Sequence, residues 1–172
     1  MQYDITIIGA GIVGLATAYK ILEQKPDINL LILEKEPGVG MHQTGNNSGV
    51  IHSGIYYRPG SLRALNCIKG YKQLLEFSDK EGIPYELCGK IIVAANQKEQ
   101  TVLKTIFDRG KKNGLDKIRM ITAEEMKEKE PHVSGVEAID VPYAGIIEFK
   151  NISNKLSEII TGRQEGEILV NQ

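Results

Sequence analysis

A glycine-rich turn near the amino terminus constrains the fold of this chain more than any other feature. The apolar run from Ile5 to Ile8 has the length and β-branched composition of a buried parallel strand. The sequence Gly-Ala-Gly-Ile-Val-Gly follows it directly, at residues 9–14. Apolar residues then recur every three or four positions as far as Leu22, which is the spacing of a helix with one buried face. These features predict a strand, a tight turn and a helix in succession.

A second strand and an acidic residue complete this unit. Residues 30–33 are all apolar, and they lead into Glu34, which lies 20 residues beyond Gly14. A strand, three spaced glycines, a helix, a second strand and an acid at these separations are typical of a dinucleotide-binding βαβ unit. We therefore predict an α/β protein that binds a dinucleotide, either NAD or FAD, rather than glycines that only shape a turn.

Each residue of the pattern has a distinct task in such a unit. Gly9 permits the tight turn, Gly11 lets the backbone approach a pyrophosphate, and Gly14 lets the helix pack closely against the strand. The amino terminus of the helix then presents backbone N–H groups and the positive end of its dipole to the phosphates. The Glu34 carboxylate can accept hydrogen bonds from both hydroxyls of an adenosine ribose, which argues against a 2′-phosphate there.

The next stretch, residues 42–61 with the sequence HQTGNNSGVIHSGIYYRPGS, favours FAD over NAD. Nicotinamide dehydrogenases are expected to continue with further regular βαβ units, and none follows here. The stretch instead combines small, hydroxyl and amide residues with an apolar Val-Ile pair, so we predict a loop that packs against a flat ring with polar edges. The residues suited to contact a pyrophosphate, a ribityl chain and a ring edge are Thr44, Gly45, Asn46, Asn47, Ser48 and Gly49.

The rest of the chain alternates helices and short strands. Ser61 can cap a helix that stops at Gly82, and residues 97–112 have the spacing of a second amphipathic helix. Thr122 opens a capping box for a short third helix. Further strands are predicted at residues 90–95, 137–141, 145–149 and 166–170, the last as a third parallel strand after a helix that begins at Asn151.

Composition and charge exclude several other classes of protein. With 41% hydrophobic and 25% charged residues, the chain has the composition of an ordinary globular protein and not of a disordered or fibrous one. A net charge of −1 provides no general attraction to nucleic acid. Cys67 and Cys88 do not form a metal-ligand pattern, and we predict no metal site. No apolar run approaches the ~20 residues needed to cross a bilayer, and the first strand begins too early for a signal peptide, so we predict a cytoplasmic protein.

Several stretches together resemble the L-2-hydroxyglutarate oxidase/dehydrogenase family, a branch of the FAD-dependent D-amino-acid-oxidase-like superfamily. They are DITIIGAGIVGLATA, LEKE, HQTGNNSGVIHSGIYYRPGSLRA, CGKIIVA and KEKEP followed by AIDVPYAGIIEFKNIS. The resemblance extends from Tyr3 to residue 161. The block around NSGVIHSG is more specific than the glycine pattern, because it separates this family from amino-acid oxidases and glycerol-3-phosphate dehydrogenases.

The resemblance implies a Rossmann-like FAD-binding domain of the glutathione-reductase/D-amino-acid-oxidase type, with the start of a mixed-sheet substrate domain. It divides the chain into a first part of the FAD-binding domain at 1–85, the start of the substrate domain at 86–146, and a return to the FAD-binding domain at 147–172. Family members are about twice as long, so the chain is expected to be an incomplete amino-terminal portion. Asn46 stands where the family pattern has a histidine, so an amide replaces that imidazole.

The resemblance also implies an activity. Members of the family oxidise L-2-hydroxyglutarate to 2-oxoglutarate with bound FAD, and oxygen or the membrane quinone pool receives the electrons. Peripheral contact with the inner membrane is therefore an open alternative to a purely cytoplasmic location. Carried onto this sequence, the positions that match the FAD pyrophosphate and ribose are Gly9, Gly11, Gly14 and Glu34, and those that match the flavin-lining loop are Thr44, Asn47, Ser48 and Gly49.

Oxidation of a 2-hydroxy acid requires a base for the hydroxyl proton and cations for the carboxylates. His52 lies in the predicted flavin loop and is the candidate catalytic base, while a simple hydrogen bond to the flavin or to nearby backbone is an equally open role. Arg58 and Arg63 are candidate substrate ligands, because the guanidinium fork matches a carboxylate. A solvated surface position is the alternative for each arginine.

Two other functions remain open at this point. A related flavin oxidoreductase that acts on glycerol 3-phosphate or on an amino acid would carry the same dinucleotide pattern. A catalytically silent FAD-binding fragment would have this pattern without the complete chemistry. The two differ in whether a substrate reduces the bound flavin.

Overall fold

The computed structural model describes residues 2–172 and divides the chain into two units. Unit 1 contains the chain up to Gly49 together with Glu148–Gln172, and unit 2 contains Val50–Ile147. The elements follow one another as β1 (Ile5–Ile8), α1 (Ile12–Gln24), β2 (Leu30–Leu33), β3 (Val50–Ile51), α2 (Leu62–Glu81), β4 (Tyr85–Glu86), β5 (Lys90–Ala94), α3 (Gln97–Lys112), β6 (Arg119–Thr122), α4 (Ala123–Lys129), β7 (Glu137–Val141), β8 (Gly145–Ile147), α5 (Phe149–Thr161) and β9 (Gly166–Leu169).

Unit 1 is built on a parallel sheet with the strand order β1-β2-β9. Its strands are mostly apolar, and in β2 both Leu30 and Ile32 are fully buried. Helices α1 and α5 pack against each other, and their buried sides include Leu15, Leu22 and Ile160. The α/β fold class, the first two strands and the third parallel strand predicted near residue 166 are therefore confirmed.

Unit 2 contains two antiparallel sheets of three strands, with the orders β3-β8-β4 and β5-β7-β6. Its helices begin where the sequence predicts, because the caps form. The Ser61 hydroxyl accepts a hydrogen bond from the Ala64 N–H at 3.2 Å, and Gly82 ends α2. Thr122 and Glu125 form the predicted capping box at the start of α4. No helix within residues 2–172 is both long enough and apolar enough to cross a membrane.

The sequence predicts a loop over residues 42–61, and this prediction is wrong for two of its residues. Val50 and Ile51 form the short strand β3, which pairs with Ile146 and Gly145 of β8. Ile51 is 1% exposed. The apolar Val-Ile pair is therefore accounted for by a strand in unit 2, and its burial requires no ring packed against it.

The predicted domains at 1–85, 86–146 and 147–172 divide the chain by function, and that division remains a prediction. The structural units change at Gly49 and again at Ile147. Strands β7 and β8, which a short turn connects, lie in different sheets. The turn at Pro142 thus carries the chain from one sheet of unit 2 to the other.

Candidate functional site

The glycine turn at the carboxyl end of β1 has a geometry that a side chain would prevent. The Gly9 N–H donates to the carbonyl oxygen of Leu33 at 2.7 Å, which ties the turn to the end of β2. Gly9 has a φ of 99°, a backbone conformation that is strained for residues with a Cβ. A Cβ on Gly14 would overlap the carbonyl oxygen of Gly9 and also approach the side chain of Ile7. Gly14 is therefore the position at which α1 touches the turn.

The turn opens on a cavity of about 460 Å³ in unit 1, a size typical of ligand sites. A Cβ on Gly9 would meet nothing within 4 Å, and a Cβ on Gly11 would have only the Thr44 hydroxyl at 3.5 Å. The backbone of the turn is thus bare on the side that faces the cavity. Among the predicted site residues, the ones that line it are Gly9, Gly11, Glu34 and Thr44.

The segment after β2 folds over the turn and closes this side of the cavity. The Gly40 N–H donates to the Ala10 carbonyl oxygen at 3.0 Å. The buried Thr44 side chain accepts a hydrogen bond from the Ile12 N–H at 3.0 Å, and so satisfies one of the unpaired donors at the start of α1. A hydroxyl that accepts in this way can still donate its own hydrogen to an anion. Beneath the segment, Gly40 lies close to the buried Ser153 of α5.

Glu34 is held in place by backbone donors at the end of β2. Its Oε2 accepts from the Ala10 N–H at 2.6 Å, and its Oε1 accepts from the Glu36 N–H at 2.9 Å. The hydrogen bond from Glu36 is the largest of the effects that lower the pKa of this carboxyl group, and the bond from Ala10 acts in the same direction. The group is therefore ionised at neutral pH, and each oxygen keeps a further lone pair for a ribose hydroxyl.

This arrangement predicts a pH dependence of stability. Because the pKa of Glu34 is lower in the folded protein than in the unfolded chain, its contribution is complete above the unfolded value of about 4.3 and is lost as the pH falls through the folded value. We expect the free energy of unfolding to decrease below about pH 4.5, and a Glu34→Gln variant to lose part of that slope. Urea denaturation between pH 3 and pH 7 measures both. Equal slopes in the two proteins would contradict the expectation, and Glu128→Gln on the exposed face of α4 is the control.

The remaining loop residues of unit 1 shape the chain rather than line the cavity. The Asn47 side chain donates to the Thr44 carbonyl oxygen at 2.6 Å and accepts from the Gly49 N–H at 2.7 Å. The amide of Asn46, at the position that departs from the family pattern, donates to the His42 carbonyl oxygen at 2.8 Å. Asn47, Ser48 and Gly49 are not among the residues that line this cavity. Their predicted contact with the flavin stays a prediction.

In unit 2, the candidate base and the candidate carboxylate ligands lie on the surface around β3 and the start of α2. His52, Arg58 and Arg63 are all exposed. The His52 carbonyl oxygen accepts a hydrogen bond from Cys67 Sγ at 3.5 Å. The hydroxyl of Ser53 is buried and has no hydrogen-bond partner within residues 2–172. The roles of these three candidates also remain predictions.

Asn113, at the end of α3, fixes the backbone of this segment. It is 8% exposed, and its amide donates to the carbonyl oxygens of Gly54 at 3.1 Å and Tyr57 at 3.0 Å. The Arg109 guanidinium donates to the carbonyl oxygen of Tyr56 at 3.3 Å. The side chains of Arg109 and Asn113 therefore hold three carbonyl oxygens of the segment that follows His52.

We expect Asn113→Ala to lower the free energy of unfolding by about 1–3 kcal/mol, because it removes two hydrogen bonds to backbone carbonyl oxygens, one of them buried. Urea denaturation measures the change. Asn154→Ala on the exposed side of α5 is the matched control, with an expected effect below about 0.5 kcal/mol. A loss no larger than that of the control would show that Asn113 does not anchor the segment.

Sequence reasoning missed several of the residues that form the site. Lys35, His42 and Gln43 also line the cavity; Lys35 follows Glu34 in the chain, whereas only the tertiary fold brings His42 and Gln43 there. Asn113 gave no signal either, because an asparagine before a glycine at a helix end has the pattern of an ordinary terminus. Periodicity and spacing locate elements, whereas these residues act through contacts between elements.

Comparisons with known proteins give a consistent result over nearly the whole chain. The family model described as FAD dependent oxidoreductase (DAO) matches residues 4–162. L-2-hydroxyglutarate dehydrogenase from Indibacter alkaliphilus is 51% identical over 158 residues, which are 92% of this chain and 40% of that protein. The chain thus spans about 40% of the length of this relative. The resemblance predicted from the sequence is confirmed.

Solved structures show the same fold. L-alpha-glycerophosphate oxidase from Mycoplasma pneumoniae, dithionite-reduced and with FAD bound, superposes with a TM-score of 0.89 at 30% identity and covers 99% of this chain and 45% of its own. Glycine oxidase from Geobacillus kaustophilus superposes with a TM-score of 0.84 at 17% identity, over 98% of this chain and 46% of its own. The predicted fold class, a Rossmann-like FAD-binding fold of the D-amino-acid-oxidase type, is confirmed.

Proposed function

The chain belongs to the FAD dependent oxidoreductase (DAO) family, and from that premise we propose that it takes part in the oxidation of L-2-hydroxyglutarate to 2-oxoglutarate. The observation that carries the proposal is the 51% identity with an L-2-hydroxyglutarate dehydrogenase over 92% of this chain. The bare glycine turn and the ordered Glu34 carboxylate support a site for the nucleotide part of FAD. The chain is thus assigned to the flavoprotein oxidoreductases.

The residues of the cavity in unit 1 fit the adenosine diphosphate part of FAD. Gly9 and Gly11 leave backbone exposed where a diphosphate needs close approach, and no side chain fills that space. Glu34 offers an ionised carboxylate to the ribose hydroxyls, and Thr44 offers a hydroxyl donor beside the start of α1. Gly14 acts indirectly, because it lets α1 approach the turn. We assign Asn47, Ser48 and Gly49 to the loop that contacts the flavin.

When bound, FAD supplies the acceptor for the two electrons and the hydrogen that leave carbon 2 of the hydroxy acid. We assign the accompanying proton to His52, whose imidazole takes it from the hydroxyl oxygen on carbon 2 as the carbonyl forms. A role limited to hydrogen bonding remains the alternative for this residue. Arg58 and Arg63 are proposed to bind the carboxylate next to the reacting carbon through paired N–H groups.

The direct test is reduction of flavin by substrate in the absence of oxygen. We expect the 172-residue chain, loaded with FAD, to lose its absorbance near 450 nm on addition of L-2-hydroxyglutarate, and to keep it with the D-enantiomer. Persistent flavin absorbance with L-2-hydroxyglutarate, together with bleaching by another acid, would overturn the proposed substrate.

Two alternatives have specific support and are distinguished by the same experiment. The TM-score of 0.89 with a glycerophosphate oxidase favours glycerol 3-phosphate, or an amino acid by analogy with glycine oxidase, as the second candidate. A silent FAD-binding chain is the third candidate, because this chain spans only 40% of the length of the relative from Indibacter alkaliphilus. Bleaching by glycerol 3-phosphate or glycine supports the former, and bound FAD that none of these compounds reduces supports the latter.

The electron acceptor is part of the proposal. Oxygen and a membrane quinone are the two candidates, and oxygen consumption during turnover supports the first. Reduction of a soluble quinone without oxygen consumption supports the second, for which we also propose peripheral contact at the inner membrane. A cytoplasmic location otherwise stays a prediction, and co-sedimentation with lipid vesicles tests it.

A further inference from the structure

Lys90 is a cation that unit 2 holds without a counter-charge. It is the first residue of β5 and is half-buried, and its Nζ lies 4.7 Å from the centre of the Tyr56 ring. Within residues 2–172 its ammonium group contacts this ring and has no ion-pair or hydrogen-bond partner. Burial accordingly lowers the pKa of Lys90, because desolvation disfavours the charged form.

Two other cations, Arg119 on the same sheet and Lys129 at the end of α4, are paired with carboxylates. Arg119 on β6 contacts Glu125 at 2.7 Å and Asp140 at 3.3 Å, and Lys129 contacts Asp140 at 3.2 Å. Asp140 on β7 is thus shared by two cations, and neither of them is Lys90. A partly desolvated ammonium without an anion is costly unless something else supplies the negative charge. The exception at Lys90 therefore points to an anionic ligand.

The ring beneath Lys90 is held by a fixed backbone. Tyr56 lies between Gly54 and Tyr57, the two residues whose carbonyl oxygens accept from the buried Asn113, and its own carbonyl oxygen accepts from Arg109. The Tyr56 side chain is 47% exposed, so a solute can reach the pair from outside. Burial raises the pKa of the Tyr56 phenol, which is therefore a protonated donor at neutral pH. Lys90 and Tyr56 together offer a positive charge and a hydroxyl donor on one rigid support.

We propose that Lys90, positioned by Tyr56, binds the carboxylate of the substrate that is remote from the reacting carbon, and so determines the preference for a dicarboxylic acid. This inference rests on the proposed function, because it names the subsite that separates 2-hydroxyglutarate from a shorter monocarboxylic hydroxy acid. Tyr56 is four residues beyond the candidate base His52 and two before the candidate carboxylate ligand Arg58. An ammonium is a suitable partner for the remote group, since a point charge tolerates the freedom of a flexible chain end.

The test compares a dicarboxylate with a monocarboxylate of similar size, glutarate and butyrate, by calorimetric titration of the full chain loaded with FAD. We expect the wild-type protein to bind glutarate more tightly than butyrate. Lys90→Met should weaken glutarate binding by about tenfold or more and leave butyrate unchanged, because it removes one charge-assisted contact. Lys90→Arg should recover part of the loss. Lys104→Met, an exposed position on α3, is the control and should change neither ligand.

Variants of Tyr56 separate support by the ring from a direct contact. Tyr56→Phe keeps the aromatic face and should retain the orientation of Lys90, whereas Tyr56→Leu removes it and should weaken glutarate binding. A wild-type protein that binds glutarate no better than butyrate would overturn the inference. So would Lys90→Met if it weakened both ligands equally, since that would place the residue at the carboxylate common to them.

The fate of this subsite and that of the proposed function can be told apart. If Lys90→Met loses glutarate binding while wild-type protein fails to oxidise L-2-hydroxyglutarate, the carboxylate subsite stands and the proposed reaction fails. If wild-type protein and Lys90→Met oxidise L-2-hydroxyglutarate with the same KM, the reaction stands and the subsite is overturned. A raised KM for L-2-hydroxyglutarate, with an unchanged KM for L-2-hydroxybutyrate, supports both.

Discussion

Replacing Gly14 by alanine is expected to lower the free energy of unfolding by about 2 kcal/mol or more and to abolish retention of FAD. The new Cβ would overlap the Gly9 carbonyl oxygen, which belongs to the backbone of the turn and cannot move aside by a side-chain rotation. Alanine in the interior of a helix gains about 1 kcal/mol over glycine, so the clash has to exceed that gain before any loss is seen. Urea denaturation and flavin absorbance after gel filtration measure the two effects.

Gly11→Ala is the matched control for stability, because it adds the same methyl group three residues earlier, at the residue that precedes α1. There the nearest atom would be the Thr44 hydroxyl oxygen at 3.5 Å, an ordinary contact distance. We expect this variant to fold with nearly unchanged stability but to bind FAD more weakly, because its Cβ lies where the backbone faces the cavity. Equal stability of the Gly14 variant and the wild-type protein would contradict the close packing of α1 on the turn.

The second large effect is expected at His52. If its imidazole takes the hydroxyl proton, His52→Ala and His52→Gln should both slow the reduction of bound flavin by L-2-hydroxyglutarate by about 10²- to 10⁴-fold. Glutamine can still donate and accept hydrogen bonds but cannot serve as the base. Anaerobic stopped-flow measurement of flavin absorbance gives the rate, and FAD content is determined in parallel.

A selective rescue by glutamine would favour the other role considered for His52. A rate in His52→Gln close to that of the wild-type protein, combined with a slow His52→Ala, would show that the residue only forms a hydrogen bond. His132→Gln provides the control, because this histidine is exposed in the turn after α4 and has no proposed role in the reaction. Its rate should match that of the wild-type protein.

Local sequence signals predict much of the fold because they act over a few residues. The strand, glycine turn and helix at the amino terminus depend on contacts within about 30 residues, and the structure has them at the predicted positions. The caps at Ser61 and Thr122 are also local, since each side chain bonds the backbone three residues ahead. These elements could therefore be predicted without any knowledge of the tertiary structure.

Short strands and burial could not be predicted in the same way. Strand β3 has only two residues, and its partner β8 lies almost 100 residues later in the chain, so no local pattern marks it. Helix α2 has the predicted apolar spacing, yet Leu62 and Leu65 are 76% and 54% exposed. Periodicity shows which residues share a face of a helix, but it does not show whether another element covers that face.

The candidate site also contains both kinds of residue, some predictable from local spacing and others placed by tertiary contacts. Gly9, Gly11 and Glu34 were accessible to sequence reasoning, because their spacing follows from the geometry of one βαβ unit. His42 reaches the cavity only because the segment that contains Gly40 folds back onto Ala10. Lys90 meets Tyr56 across unit 2 for a comparable reason. Residues recruited by tertiary contacts leave no spacing rule from which they can be found.

The binding of FAD compared with FMN tests the proposed site most directly, because FMN lacks the adenosine monophosphate part that completes the diphosphate bridge. Equilibrium titration of the 172-residue chain, followed by quenching of flavin fluorescence, gives both affinities and the stoichiometry. We predict that one FAD binds per chain, that ADP competes with it, and that FMN binds at least tenfold more weakly. Failure to bind FAD, or equal affinity for FAD and FMN, would contradict a nucleotide site at Gly9, Gly11 and Glu34.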